Sequence, residues 1–163
     1  MEEMAVKYAP RSVRSVFLYT REAHPGEHCR HHTSMADKRR NARDFKTELK
    51  VKRQILLDNL DGTVHRAYGM LPNMSWIVGP GGLILYKAAW TDPSDIEDAL
   101  KYNLDAMEHK NKDMLMPYYS ERLRWRLRDD EKFRARLAKN GPQAVSDFYR
   151  SMLDTTSARP QGE

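Results

Sequence analysis

Cys29 is the only cysteine among 163 residues. A single thiol excludes an internal disulfide framework and a CxxC redox pair. No apolar run approaches the roughly 20 residues that a membrane-spanning helix needs. The opening segment, MEEMAVKYAP, has early acids and no apolar core, so it does not read as a secretory signal. P-loop, GxSxG and dinucleotide fingerprints are missing, and the usual phosphate cradles and nucleophile elbows go with them. Gly79-Pro80-Gly81-Gly82 is glycine-rich, but it stands between two apolar runs and not ahead of a helix. No internal repeat is present.

The composition that remains is 40% hydrophobic and 31% charged, which fits a globular chain with a very polar surface. Cytoplasmic location and no membrane partner are the expectation. The formal net charge is +5 with a pI near 9.3. Arginine-rich, solvated helix faces account for that excess. Attraction to phosphates or acidic partners is the functional reading beside it.

Gln54 to Trp90 organises the chain. Ile55, Leu56 and Leu57 form a short apolar run closed by Asp58, which reads as a strand entering a polar turn. Asp61 is placed to cap a short helix that presents Val64, Ala67 and Tyr68, and Gly69 ends it. That assignment makes His65 solvated. Leu71-Pro72 precedes an apolar strand from Met74 to Val78, and Gly79 to Gly82 turns the chain into a returning strand, Leu83 to Ala88. Pro93, after Asp92, opens a helix running toward Lys110.

Upstream, residues 2 to 9 read as a helix stopped by Pro10. Val13 to Thr20 reads as a strand, and Arg21 to Thr33 as a loop. Ser34 caps a helix to about Leu49 that carries Lys38, Arg39, Arg40, Arg43 and Lys46. Strand, crossover helix and strand imply a right-handed unit in a parallel sheet. Beyond Lys112 the character changes. Met114 to Tyr119 is a break, Glu121–Arg128 and Asp130–Lys139 are charged helical stretches, and Asn140-Gly141-Pro142 separates the latter from a helix faced with Val145, Phe148, Tyr149 and Met152. Thr155 to Glu163 reads as a frayed tail.

Five segments carry a resemblance. They are VFLYTREAHPGE (Val16 to Glu27), HHTSMADKRRNAR (His31 to Arg43), LLDNLDGTVHRAYG (Leu56 to Gly69), LPNMSWIV (Leu71 to Val78) and LILYKAAWTD (Leu83 to Asp92). In this order they resemble the bacterial iodothyronine-deiodinase-like family, in the redoxin branch of the thioredoxin-like fold. The resemblance spans roughly residues 14 to 100. It implies an α/β, three-layer thioredoxin-like domain over residues 1–110, followed by a helical C-terminal extension over 111–163.

The family's fold opens with a strand, an active-site loop and a long helix, and its nucleophile lies in that loop. Residues 2 to 9 match only the end of that helix. The expectation is an N-terminally incomplete fold without the nucleophile segment, inactive alone. The strand expected to be missing is central in the family, between the Val13–Thr20 and Met74–Val78 strands, so a partner chain or a second copy could complete the sheet. The implied activity is thiol-dependent reduction, either dehalogenation or reduction of peroxides or disulfides, acting on a small-molecule or thiol substrate. It needs an external thiol reductant and no bound cofactor. The alternative is a non-catalytic interaction module using the arginine-rich arm. Nucleic acid is not an expected partner, because no stacking platform of interleaved aromatics accompanies the arm.

By the same resemblance, Pro72 with Leu71 would bind substrate through a cis peptide bond, against the ordinary alternative of a trans proline near a strand. His32 would serve proton transfer, with Glu22 and His24 bordering the same pocket. Alternatively, Glu22 and His24 order the loop by hydrogen bonds. The loop also holds His28, Cys29 and His31. Thiolate and imidazole are zinc ligands, but this spacing matches no standard zinc signature, and no metal is expected. Cys29 lies off the family's nucleophile position. A role as a resolving thiol needs protonated histidines or Arg30 to favour its thiolate.

Overall fold

The computed structural model describes residues 1–109, 120–121 and 129–157, with side chains omitted for 120–121 and 153–157. The fold is mixed α/β, built from small sheets and helices. The elements are α1 (Glu2–Tyr8), β1 (Val16–Tyr19), α2 (Met35–Glu48), β2 (Gln54–Leu57), α3 (Thr63–Ala67), β3 (Ser75–Val78), β4 (Ile84–Ala88), α4 (Pro93–Glu108), β5 (Ser120–Glu121), α5 (Asp130–Lys139) and α6 (Pro142–Ser157). Strands β1 and β2 form one sheet, and β3-β4-β5 form another. Among the described residues no strand pairs with both. None of the described helices is long and apolar enough to cross a membrane.

The chain divides into two compact units, Met1–Val16 with Ala67–Arg126, and Phe17–Arg66 with Leu127–Glu163. The expected boundary near residue 110 lies outside the described residues, as do the Met114–Tyr119 break and residues 158–163 of the expected tail. Glu121, expected to start a charged helix, belongs instead to β5, which runs parallel to β4. Residues 122–128 of that stretch are likewise outside the description. Thr155 to Ser157, expected to fray, continue α6.

In the first unit β3 and β4 pair antiparallel, from Ser75 opposite Ala88 to Val78 opposite Ile84. Gly79 N–H donates to the Leu83 carbonyl at 2.7 Å, closing the expected turn. Gly81 and Gly82 have φ of 73° and 84°, a left-handed path that glycine follows without steric cost. Tyr86, Ala88, Ile96 and Ala99 form the core, with Met1, Met4 and Ile77 packed on it. Asp92 caps α4 by accepting from Ser94 and Asp95 N–H. Lys7 and Tyr8 tie α1 to Glu97 of α4 at 2.6 and 3.0 Å.

Leu71 and Pro72 lie in an exposed turn of this unit. The chain has no cis peptide bond among the described residues, so the Leu71–Pro72 bond is trans, contrary to the expectation. Trans is favoured by about 0.5–1 kcal/mol at X–Pro bonds, and an exposed Pro72 has little packing to offset that. Met70 and Asn73, on either side, take φ of 62° and 60°. The turn is thus made by left-handed residues flanking the proline.

In the second unit Ser34 caps α2, accepting from Asp37 N–H at 3.1 Å. Phe45 of α2 stacks on Phe17 and Tyr19 of β1, with ring centroids 4.9 and 5.9 Å apart. Lys38 of α2 is buried, and its ammonium donates to the Asn59 carbonyl at 3.0 Å. The start of α3 departs from expectation. Asp58, not Asp61, accepts from the N–H groups of Val64 and His65 at 3.0 and 2.8 Å. His65 is buried rather than solvated. The reason is geometric. Asp58, directly after β2, is itself buried and reaches forward, whereas Asp61 is exposed.

Candidate functional site

The candidate site lies within the second unit, in the loop between β1 and α2. Strand alternation puts Tyr19 inward at the end of β1, where it is buried. Its hydroxyl donates to Glu22 Oε2 at 3.1 Å. Cys29 Sγ donates to the same oxygen, also at 3.1 Å. The His32 ring lies against the Tyr19 ring with centroids 5.6 Å apart. Its Nε2 is buried and has no hydrogen-bond partner. Glu22, Cys29 and His32 therefore gather around one tyrosine.

The electrostatics of this cluster favour neutral side chains around one carboxylate. Burial pushes the Cys29 thiol up to about 12, and the Glu22 carboxylate beside it adds to the rise. The expected thiolate is therefore disfavoured, because the group that faces the sulfur is an acid and not a protonated histidine. Burial also raises Tyr19, with Glu22 next in weight. His32 is held below the usual imidazole range, first by burial and then by the Lys38 charge. A neutral imidazole with an unused nitrogen can take a proton and, once charged, pass it on.

His24 does something different. Its ring meets Phe133 and Phe148 edge-on, with centroids 6.2 and 5.3 Å away. Its carbonyl accepts from Asn140 Nδ2. Of the two expected partners, Glu22 stands with the Cys29–Tyr19 cluster, and His24 anchors the loop.

That anchoring is provided by the corner between α5 and α6. Asn140 Oδ1 accepts from Cys29 N–H at 2.6 Å, and Asn140 Nδ2 donates to the Cys29 carbonyl at 3.5 Å. His28 N–H donates to the Asn140 carbonyl at 3.4 Å. The Glu27 carboxylate accepts from Gln143 N–H at 2.9 and 3.1 Å, in the first turn of α6, where a negative charge is favoured. Gly26 is needed in this clasp, since a Cβ there would run into the Asn140 carbonyl oxygen.

Behind the cluster, Asp58 is buried and accepts from three backbone N–H groups, those of Asn59, Val64 and His65. Burial works against its charge, but these donors, with Lys38, hold the carboxyl below its usual range. Lys38 is lowered by its own burial, and Asp58 works in the opposite direction.

Among the described residues no group of three or more His, Cys, Asp or Glu side chains is arranged to hold a metal ion. His28 and His31 are exposed. Leu71 and Pro72 belong to the other unit. The sequence reading missed Tyr19, taken only as strand core, and Asn140, taken only as a helix stop. The one signal for Asn140 was its place beside Gly141-Pro142, which marks a corner but does not say what the corner meets.

Searches against protein families, curated proteins and solved structures return no match to this chain.

Proposed function

We propose that the chain is a deiodinase-like relative of the thioredoxin fold in which Glu22 and His32 handle the proton of a thiol-dependent reduction. The observation that carries this reading is the buried, unpartnered Nε2 of His32 beside the Tyr19–Glu22–Cys29 cluster. Reductive cleavage of a carbon–halogen, peroxide or disulfide bond leaves an atom that must be protonated. His32 can take the proton of the incoming thiol and, as the imidazolium so formed, give it to that atom, returning to the neutral form that its burial favours. The electrons come from an external thiol. Cys29 is disfavoured as the attacking thiolate, because burial and the facing Glu22 carboxylate both raise its thiol.

The nucleophile in this reading comes from a strand and loop that the described residues do not contain. Sequencing the coding DNA in frame upstream of Met1 tests this. An open frame encoding a strand and a cysteine-bearing loop before a helix is the expected result. In that longer protein, His32→Gln lowers thiol-dependent turnover by roughly a hundredfold or more, the usual contribution of general acid–base catalysis. A stop codon directly upstream overturns the reading. Burial and Glu22, which both oppose a Cys29 thiolate, leave a non-catalytic interaction module as the second reading in that event.

A further inference from the structure

Helix α2 carries a second feature, and it does not depend on the reductase reading. A groove of about 350 Å³ runs between α2 and β2. Its floor is Ala42 with Ile55 and Leu57, which share one face of β2 by strand alternation. Its rim is Arg39, Arg43 and Lys46, at successive turns of one face of α2, with the polar Gln54 at the start of β2 completing the lining. None of the three has a side-chain ion pair or hydrogen bond among the described residues. Arg40, on the same helix, is turned to Asp37 at 2.8 Å and does not line the groove.

We propose that this groove binds a small organic oxyanion, a carboxylate or phosphate monoester borne on an apolar body. Water on an apolar floor finds few hydrogen-bond partners, so filling the groove with hydrocarbon is favourable. Two guanidinium groups and an ammonium at the rim match a carboxylate or phosphate, and arginine can grip either in two-point fashion. The volume lies at the lower end of small-molecule sites. It suits a free small molecule better than a bilayer or a polymer, which would need an extended charged surface.

Octanoate and octyl phosphate are the probes, with methyl signals of Ile55 and Leu57 followed by NMR. Saturable shifts with both anions, or with one of them, are expected and identify the preferred head group. Octanamide, neutral, and inorganic phosphate, with no apolar body, each bind at least tenfold more weakly. The double variant Arg39→Gln/Arg43→Gln loses at least tenfold in affinity, while Arg40→Gln, with one charge removed off the groove, changes it less than twofold. Glutamine keeps helix propensity close to that of arginine, so these exposed changes leave the fold intact. Shifts that never saturate overturn the proposal. So does octanamide binding as well as octanoate, or a double variant that binds like the native chain.

Discussion

The two units bury polar groups in different ways. In the β3–β4 unit, Asn103 lies on α4 and its amide donates within the same helix, to the Ala99 carbonyl at 2.8 Å. The apolar core of Tyr86, Ala88, Ile96 and Ala99 lies alongside. In the β1–β2 unit, buried Lys38, Asn41 and Asp58 reach across the chain, to Asn59, Arg30 and the start of α3. A local bond depends on spacing along one helix. A bond across the chain depends on where the fold brings two segments, and it leaves a costly orphan if either end is lost. The buried polar bonds of the second unit therefore depend on the wider fold, although the first unit also buries a carboxylate, that of Asp95.

The largest effects should come from cutting the centre of each unit. Asp58→Ala orphans three N–H groups and removes a negative charge that acts on buried Lys38, for a loss of about 3–5 kcal/mol. Tyr86→Ala, opening the apolar core, should cost a similar 3–5 kcal/mol or so. Urea unfolding at pH 7 measures both, and acid then separates them. The Asp58 carboxyl is lowered in the fold, so its contribution is complete above its ordinary value of 3.8 and disappears as pH falls through the folded value. Asp58→Asn should flatten that acid loss, and Tyr86→Ala should keep it. Equal acid slopes for the two variants would remove the proposed difference between the units.

Opening the loop clasp should have a smaller effect. Asn140→Ala removes bonds to both Cys29 backbone groups and to His24, at a cost of about 1–3 kcal/mol. The thiol itself reports on the site. With its pKa near 12 instead of 9.0, the thiolate fraction of Cys29 at pH 8 is lower by roughly a thousandfold than in an ordinary cysteine. Alkylation by iodoacetamide should be correspondingly slow and should rise through pH 9 without levelling. Glu22→Gln removes the facing charge and should speed it. A native rate that levels near pH 9 would show that Glu22 and burial do not control the sulfur.

The helix caps should produce the smallest and most even changes. Ser34→Ala at α2 and Asp92→Ala at α4 each remove a side-chain cap, worth about 1 kcal/mol. Similar losses in the two units are expected, because a cap is local in both. A loss at Ser34 several times that at Asp92 would mean that the loop before α2 depends on its cap.

This gradient parallels what could be read in advance. The hairpin turn, the cap at Ser34, and the helices starting at Met35, Pro93 and Asp130 were legible, because each depends on residues within about four positions of one another. Glu22 and His32 were picked out by resemblance, and the loop does bring them to one tyrosine. Two errors share one cause. Asp61 was given the role of Asp58, and His65 was put in solvent. In each case the deciding partner is a buried backbone group or an element whose position the local pattern does not fix. The cis assignment of Pro72 failed for a related reason, since an isomer is selected by surroundings and not by the X–Pro pair.

The sequence by itself determined the elements: which runs are apolar, where chain direction can reverse, and where a helix can begin. It determined that one thiol serves the whole chain. The tertiary structure decided what that thiol is. Enclosed beside Glu22 and held by Asn140, Cys29 keeps its proton, because desolvation and a neighbouring negative charge both oppose the thiolate. Neither factor is set by the residue's immediate neighbours in the chain: Glu22 lies 7 positions away, and Asn140, which holds the loop, 111.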